Sequence, residues 1–212
     1  MSFPLSFRLQ QLMVSSSNPR ELVAVTKTKK ETTLALAAAH ALVLLEDGTM
    51  VGDPMEKTTL SALDWKLTKG DNLAPSSKDA PHKMQINIKR RYQFSSALKR
   101  MSTISSVVDG NGRKFAVAVK GAPETLKGMY NQVPEWYDET YRWYTRRGSR
   151  VLALGYKTMN LDPSKVSFIY SLVRNNAKCR STLLREMRSS VNSSLLGSWS
   201  STVLSNLMLS RL

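Results

Sequence analysis

The chain has 212 residues, of which 42% are apolar, 22% charged and 8% aromatic, with a formal net charge of +15. Such a composition is globular, and the length suffices for one domain with appendages and a buried core. The single cysteine, Cys179, excludes an internal disulfide framework and a Cys-rich zinc module. The two histidines, His40 and His82, suggest no metal cluster, and no apolar run reaches the length of about 18 residues that a membrane span needs. The first residues lack a basic stretch followed by a small-residue cleavage site, so no signal peptide is expected.

Patterning divides the chain into an irregular N-terminal segment (1–21), a compact domain (22–158) and a Ser/Leu-rich tail (159–212). Within the domain, Glu31–Ala41 is rich in Ala and Leu and predicts a helix. Leu42–Leu45 and Met50-Val51 flank Asp47-Gly48 and predict two short strands joined by a tight turn. Asp53-Pro54-Met55-Glu56 carries the signals of a helix start: a capping Asp, Pro at the first helical position and an acidic side chain in the first turn. That helix is expected to run to about Trp65, followed by a loop over 66–82 that contains Gly70, Pro75 and Pro81.

Met84–Gln93 and Arg100–Val108 alternate apolar and polar side chains, and Asp109-Gly110-Asn111-Gly112 then predicts a hairpin into the strand Lys114–Val119. Helices are expected at Ala122–Tyr130 and Pro134–Arg147, with Gly148 as the stop. Trp136, Tyr137, Tyr141 and Tyr144 fall near helical spacing, which suits a core face or, alternatively, a base-stacking platform. Arg150–Tyr156 predicts a last strand. Strands joined by tight turns pair antiparallel, so the fold class is α+β, an antiparallel sheet flanked by helices.

The positive charge clusters at Lys27–Lys30, Lys89–Arg91 and Arg146-Arg147. Two readings stand: solvated faces, or a polyanion site whose ligand is ATP or nucleic acid. Lys120-Gly121-Ala122-Pro123-Glu124 follows an apolar strand and opens a helix. Gly121 permits a close backbone approach, Lys120 supplies a point charge, and a helix N-terminus favours anions. Either a phosphate contact or an ordinary strand-to-helix turn satisfies that pattern. At the join of two strands, Phe94 could stack on a base or fill the core, while Lys99 or Arg100 could neutralise phosphate.

Four strings, Gly52–Lys57, Phe94–Ser102, Lys120–Glu124 and Arg150–Gly155, occur in this order and spacing in P-type ATPases. With His40-Ala41-Leu42 ahead of them, they resemble the nucleotide-binding (N) domain of the type V group, endoplasmic-reticulum subgroup A, over about residues 31–158. The resemblance implies that Phe94 stacks on adenine, Lys120 lies beside the nucleotide, Glu56 approaches the adenine amino group and Arg150 contacts the phosphates. Some members carry an Arg where this chain has Ser96. The implied ligand is ATP, with Mg²⁺ only in the intact parent enzyme. That parent is an ATP-driven translocase of the endoplasmic reticulum membrane, for ions or transmembrane helices, whose N domain faces the cytosol.

The family's phosphorylated Asp, in an Asp-Lys-Thr-Gly-Thr string, does not occur in these residues. The chain is therefore expected to be a soluble, cytoplasmic fragment that holds ATP without transferring phosphate, with no catalytic residue, no metal ligand and no membrane insertion. The alternatives are a basic nucleic-acid-binding module and a non-functional truncation product. Between Asn160 and Leu212 there are 13 Ser and 10 Leu, and after Arg188 the one charged side chain is Arg211. Codons for Asn192–Leu212 can be chosen so that a frame displaced by two bases reads like the start of the family's phosphorylation domain. The tail is thus expected to be disordered or out of frame.

Overall fold

A computed structural model describes residues 22–77, 80, 82–130 and 133–159, together with two short strands at 12–14 and 204–205. Strand β1 (Leu12–Val14), inside the stretch expected to be irregular, pairs with β2 (Leu22–Ala24). A 3-10 turn leads to α1 (Lys30–Ala38), whose apolar residues are buried almost all round. Next, β3 (Val43–Leu44) and β4 (Met50–Val51) form the expected small hairpin, with Thr49 N–H bonded to Asp47 Oδ1.

Helix α2 (Pro54–Ala62) starts as its sequence predicts: Asp53 Oδ1 accepts the Met55 N–H at 2.7 Å. It ends before Trp65, and the expected loop over 66–82 is corrected by two strands, β5 (Trp65–Thr68) and β6 (Asn72–Pro75). Burial explains the difference. Trp65 and Leu67 point into the core while Lys66 and Thr68 face out, the alternation of a half-buried strand. Asp71, with φ of +59°, turns the chain between the two strands.

The long meander β7 (Gln85–Ser95), β8 (Arg100–Asp109) and β9 (Gly112–Gly121) follows. Two helices come next, α3 (Pro123–Lys127) and α4 (Tyr137–Arg146), and Gly148 at φ of +80° ends the second. Strand β10 (Leu152–Met159) returns along β9, and β11 (Leu204–Ser205) pairs with its start. The seven-stranded sheet has the order β11-β10-β9-β8-β7-β6-β5 and is antiparallel throughout. Apart from Met159, which ends β10, and Leu204–Ser205, the tail expected over 159–212 lies outside the described residues.

The sheet is covered on both faces, which makes three layers. Ala116 and Ala118 of β9 pack toward α1 and α2 with Leu34, Leu60, Trp65 and Ile86. Val117 and Val119, one residue out of phase, pack toward α3 and α4 with Leu126, Tyr137, Tyr141 and Tyr144. A strand buried on both sides cannot alternate with polar residues, which is why Phe115–Val119 is continuously apolar. The Tyr stripe of α4 is core: Tyr137, Tyr141 and Tyr144 are 3%, 7% and 1% exposed. That burial favours the core-face reading of these three residues over the base-stacking one.

Candidate functional site

One end of the sheet opens into a cleft of about 720 Å³. Its walls are the start of α2, the β7–β8 hairpin tip, the turn from β9 into α3, the last turns of α4 and the entry to β10. Glu56, Phe94, Lys120 and Arg150, distant in sequence, all line it.

Phe94 reaches the cleft because the pairing of β7 with β8 slips between Tyr92 and Ser95. Such a bulge turns a side chain out of the alternating pattern. The ring is 63% exposed, so it does not serve as a core residue. An exposed large aromatic at a concave wall is a ready stacking surface.

Lys120 and Glu56 meet across the floor: Nζ lies 2.5 Å from Oε1, with side chains 16% and 10% exposed. The second oxygen of Glu56 accepts the Ala41 N–H at 2.9 Å. Burial, the largest influence, pulls the pKa of Lys120 below that of a free lysine, the Glu56 carboxylate opposes it, and the positive charge of Arg150 adds to the lowering. Arg150 itself is exposed at the cleft rim.

Gly121 is required for a reason other than the expected approach of a ligand. A Cβ there would lie 2.4 Å from the Lys99 carbonyl oxygen and 2.7 Å from Arg100 Cβ. Absence of a side chain lets the β7–β8 tip close onto the strand end, where the Ala122 N–H donates to the Lys99 carbonyl at 2.9 Å. Lys99, at φ of +47°, lines the cleft, whereas Arg100 turns to the sulfur of Met129. Helix α3 has only five residues, so the anion-attracting dipole expected at its start is small. Ser96 is exposed and does not line the cleft.

No family model matches the chain. Over 149 residues it is 46% identical to the endoplasmic reticulum transmembrane helix translocase of Aspergillus fumigatus, covering 66% of this chain and 11% of that protein. Over 159 residues it is 44% identical to the translocase of the same name from Saccharomyces cerevisiae, covering 74% of this chain and 12% of that one. The Schizosaccharomyces pombe translocase matches at 44% over 149 residues, 68% of this chain and 12% of the relative. The chain belongs to the P-type ATPases of type V, subgroup A.

This P-type ATPase chain spans about a ninth of the length of the relatives it matches. Among its described residues no three His, Cys, Asp or Glu side chains converge as a metal site, and no helix is long and apolar enough to cross a membrane. Sequence reasoning missed the apolar lining of the cleft. Met55 and Met101 follow α2 and β8 periodicity, and Tyr141 belongs to the core stripe of α4. Tyr141 serves both core and cleft wall. Periodicity separates inside from outside but does not show where a core face ends at a cavity.

Proposed function

We propose that this segment is the nucleotide-binding part of its ATPase: it holds ATP with adenine stacked on Phe94 beside Lys120 and Glu56, and with the phosphates directed toward Arg150. The observation that carries this reading is an aromatic ring left 63% exposed at the wall of a cleft that Lys99, Lys120 and Arg150 line together with Asp53, Glu56 and Glu124. A flat π-face, a partly apolar slot and convergent Lys/Arg side chains are the elements of a purine nucleoside triphosphate site. Glu56 lies on the floor, and a lone pair left beside its bonds to Lys120 and the Ala41 N–H suits an exocyclic amino group.

The residues supply binding and orientation. Magnesium accompanies the triphosphate in the intact enzyme, and no protein ligand for it is assigned among these residues. We infer further that the longer protein is an ATP-driven translocase of the endoplasmic reticulum, a reading the relatives' names support, and that this domain faces the cytosol, as the family resemblance implies.

An amide-shift titration with ATP tests the site. The expected affinity is weak, roughly millimolar or about −4 kcal/mol. Perturbed amides should cluster at 93–101, 120–124 and 149–152. Shifts that cluster away from Phe94 and Lys120 would refute the assignment.

A further inference from the structure

The loop after α1 contains a residue that the nucleotide reading does not use. His40 is 2% exposed; its Nδ1 accepts the Leu42 N–H at 3.0 Å, and its Nε2 has no hydrogen-bond partner. An accepting Nδ1 assigns the proton of the neutral ring to Nε2. Burial first, then the charges of Arg91 and Lys120, brings its pKa down from 6.5 to about 3, against the opposing charge of Asp71. A buried N–H without an acceptor is a cost to the fold, and an apolar side chain of similar size would avoid it. The ring is therefore best explained by what its other nitrogen does.

That nitrogen shapes the tripeptide His40-Ala41-Leu42. With the Leu42 N–H taken by the ring, the Ala41 N–H is directed to Glu56 Oε2 at 2.9 Å. The His40 carbonyl accepts Arg91 Nε–H at 3.1 Å, and Arg91 grips Asp71 with two bonds of 2.6 and 2.9 Å. Gly52, at the cleft edge, packs so closely that a Cβ there would sit 2.7 Å from Leu42 Cδ2. Glu56 then holds Lys120 with its remaining oxygen.

We propose that His40 is a positioning residue of the cleft: its imidazole fixes the 40–42 tripeptide, which orients Glu56 and, through Glu56, the Lys120 ammonium. The proposal rests on the nucleotide reading for its binding consequence, but the geometry it describes exists without ligand. His40→Asn keeps an acceptor near the position of Nδ1, whereas His40→Leu keeps bulk and removes the acceptor.

The test uses the full chain, with ATP affinity from amide shifts as one readout. A second readout, in ligand-free protein, is the Ala41 amide and Lys120 ammonium resonances. His40→Asn should bind ATP within about twofold of the parent, and His40→Leu about fivefold more weakly. In a Glu56→Gln background, His40→Leu should add no further loss, because residues acting through one another are non-additive. The two ligand-free resonances should move in His40→Leu and stay in His40→Asn. Parent-like affinity of His40→Leu, or losses that multiply in the Glu56→Gln background, would overturn the proposal. Should His40→Leu not fold, His40→Gln, whose amide lies one methylene farther out, is compared with His40→Asn, and equal affinities overturn it. If the parent chain binds no ATP, the nucleotide reading falls, and the Ala41 and Lys120 resonances decide the positioning role by themselves.

Discussion

Glu56 and Lys120, 64 residues apart in the chain, form a nearly buried ion pair of 2.5 Å that ties the start of α2 to the end of β9. The pair fixes the floor of the cleft before any ligand arrives. Removing one partner strands the other charge where water reaches it poorly.

Lys120→Met should therefore destabilise the fold by about 3 kcal/mol, the lower end of what deleting one member of a buried pair costs. Lys120→Met combined with Glu56→Gln should recover at least half of that loss, since neither charge is then left alone. Chemical denaturation of the two single variants and the double variant checks it; additive losses would count against a coupled pair.

Gly121→Ala should cost about 3 kcal/mol or prevent folding, because its Cβ would press on the Lys99 carbonyl, a backbone atom that cannot step aside. Gly110→Ala, with nothing within 4 Å of the added carbon, should stay within about 0.5 kcal/mol. Thermal melts of the two variants measure the contrast.

His40 and Asp109 both shape the response to acid. The folded pKa of His40, about 3, lies below its unfolded value of 6.5, so the unfolded chain binds a proton that the folded chain refuses. Its contribution is complete above pH 6.5 and declines as pH falls toward 3, by about 1.4 kcal/mol per pH unit. Asp109 accepts from Lys30 and Lys114 at 2.5 and 3.0 Å, which hold its carboxyl well below the usual range. Its contribution is present above the unfolded value, near 3.9, and is lost as pH falls further. His40→Asn should flatten the stability profile between pH 6.5 and 4, and Asp109→Asn should flatten it below pH 4. Urea unfolding across pH 3–7 reads both.

Local signals in the sequence carried much of the fold. The Asp53-Pro54 helix start, the turns at Asp47-Gly48 and Asp109–Gly112 and the two-sided apolar β9 all appear where the residues place them, because each depends on neighbours within a few positions. Strands β5 and β6 did not announce themselves. Gly70 and Pro75 read as loop residues, and only the core contact of Trp65 and the pairing of β6 with β7 make strands of that stretch. The same limit applied at the site. Residue types alone left Phe94 divided between core and stacking surface, since its exposure follows from a slip in long-range pairing. The Glu56–Lys120 and His40–Leu42 contacts were likewise invisible, the first because α2 and β9 are far apart in the chain, the second because it needs a loop shape.

The affinity of Phe94→Ala for ATP, measured beside its melting temperature, tests adenine stacking against Phe94 most directly. A ring 63% exposed contributes little to the fold, so the melting temperature should stay within about 1 °C of the parent. Loss of the π-face should weaken ATP by about 1–3 kcal/mol, roughly ten- to hundredfold, with Phe94→Trp retaining the parent affinity. Phe94→Ala that melts and binds ATP as the parent does would contradict the assignment of this cleft as the nucleotide site.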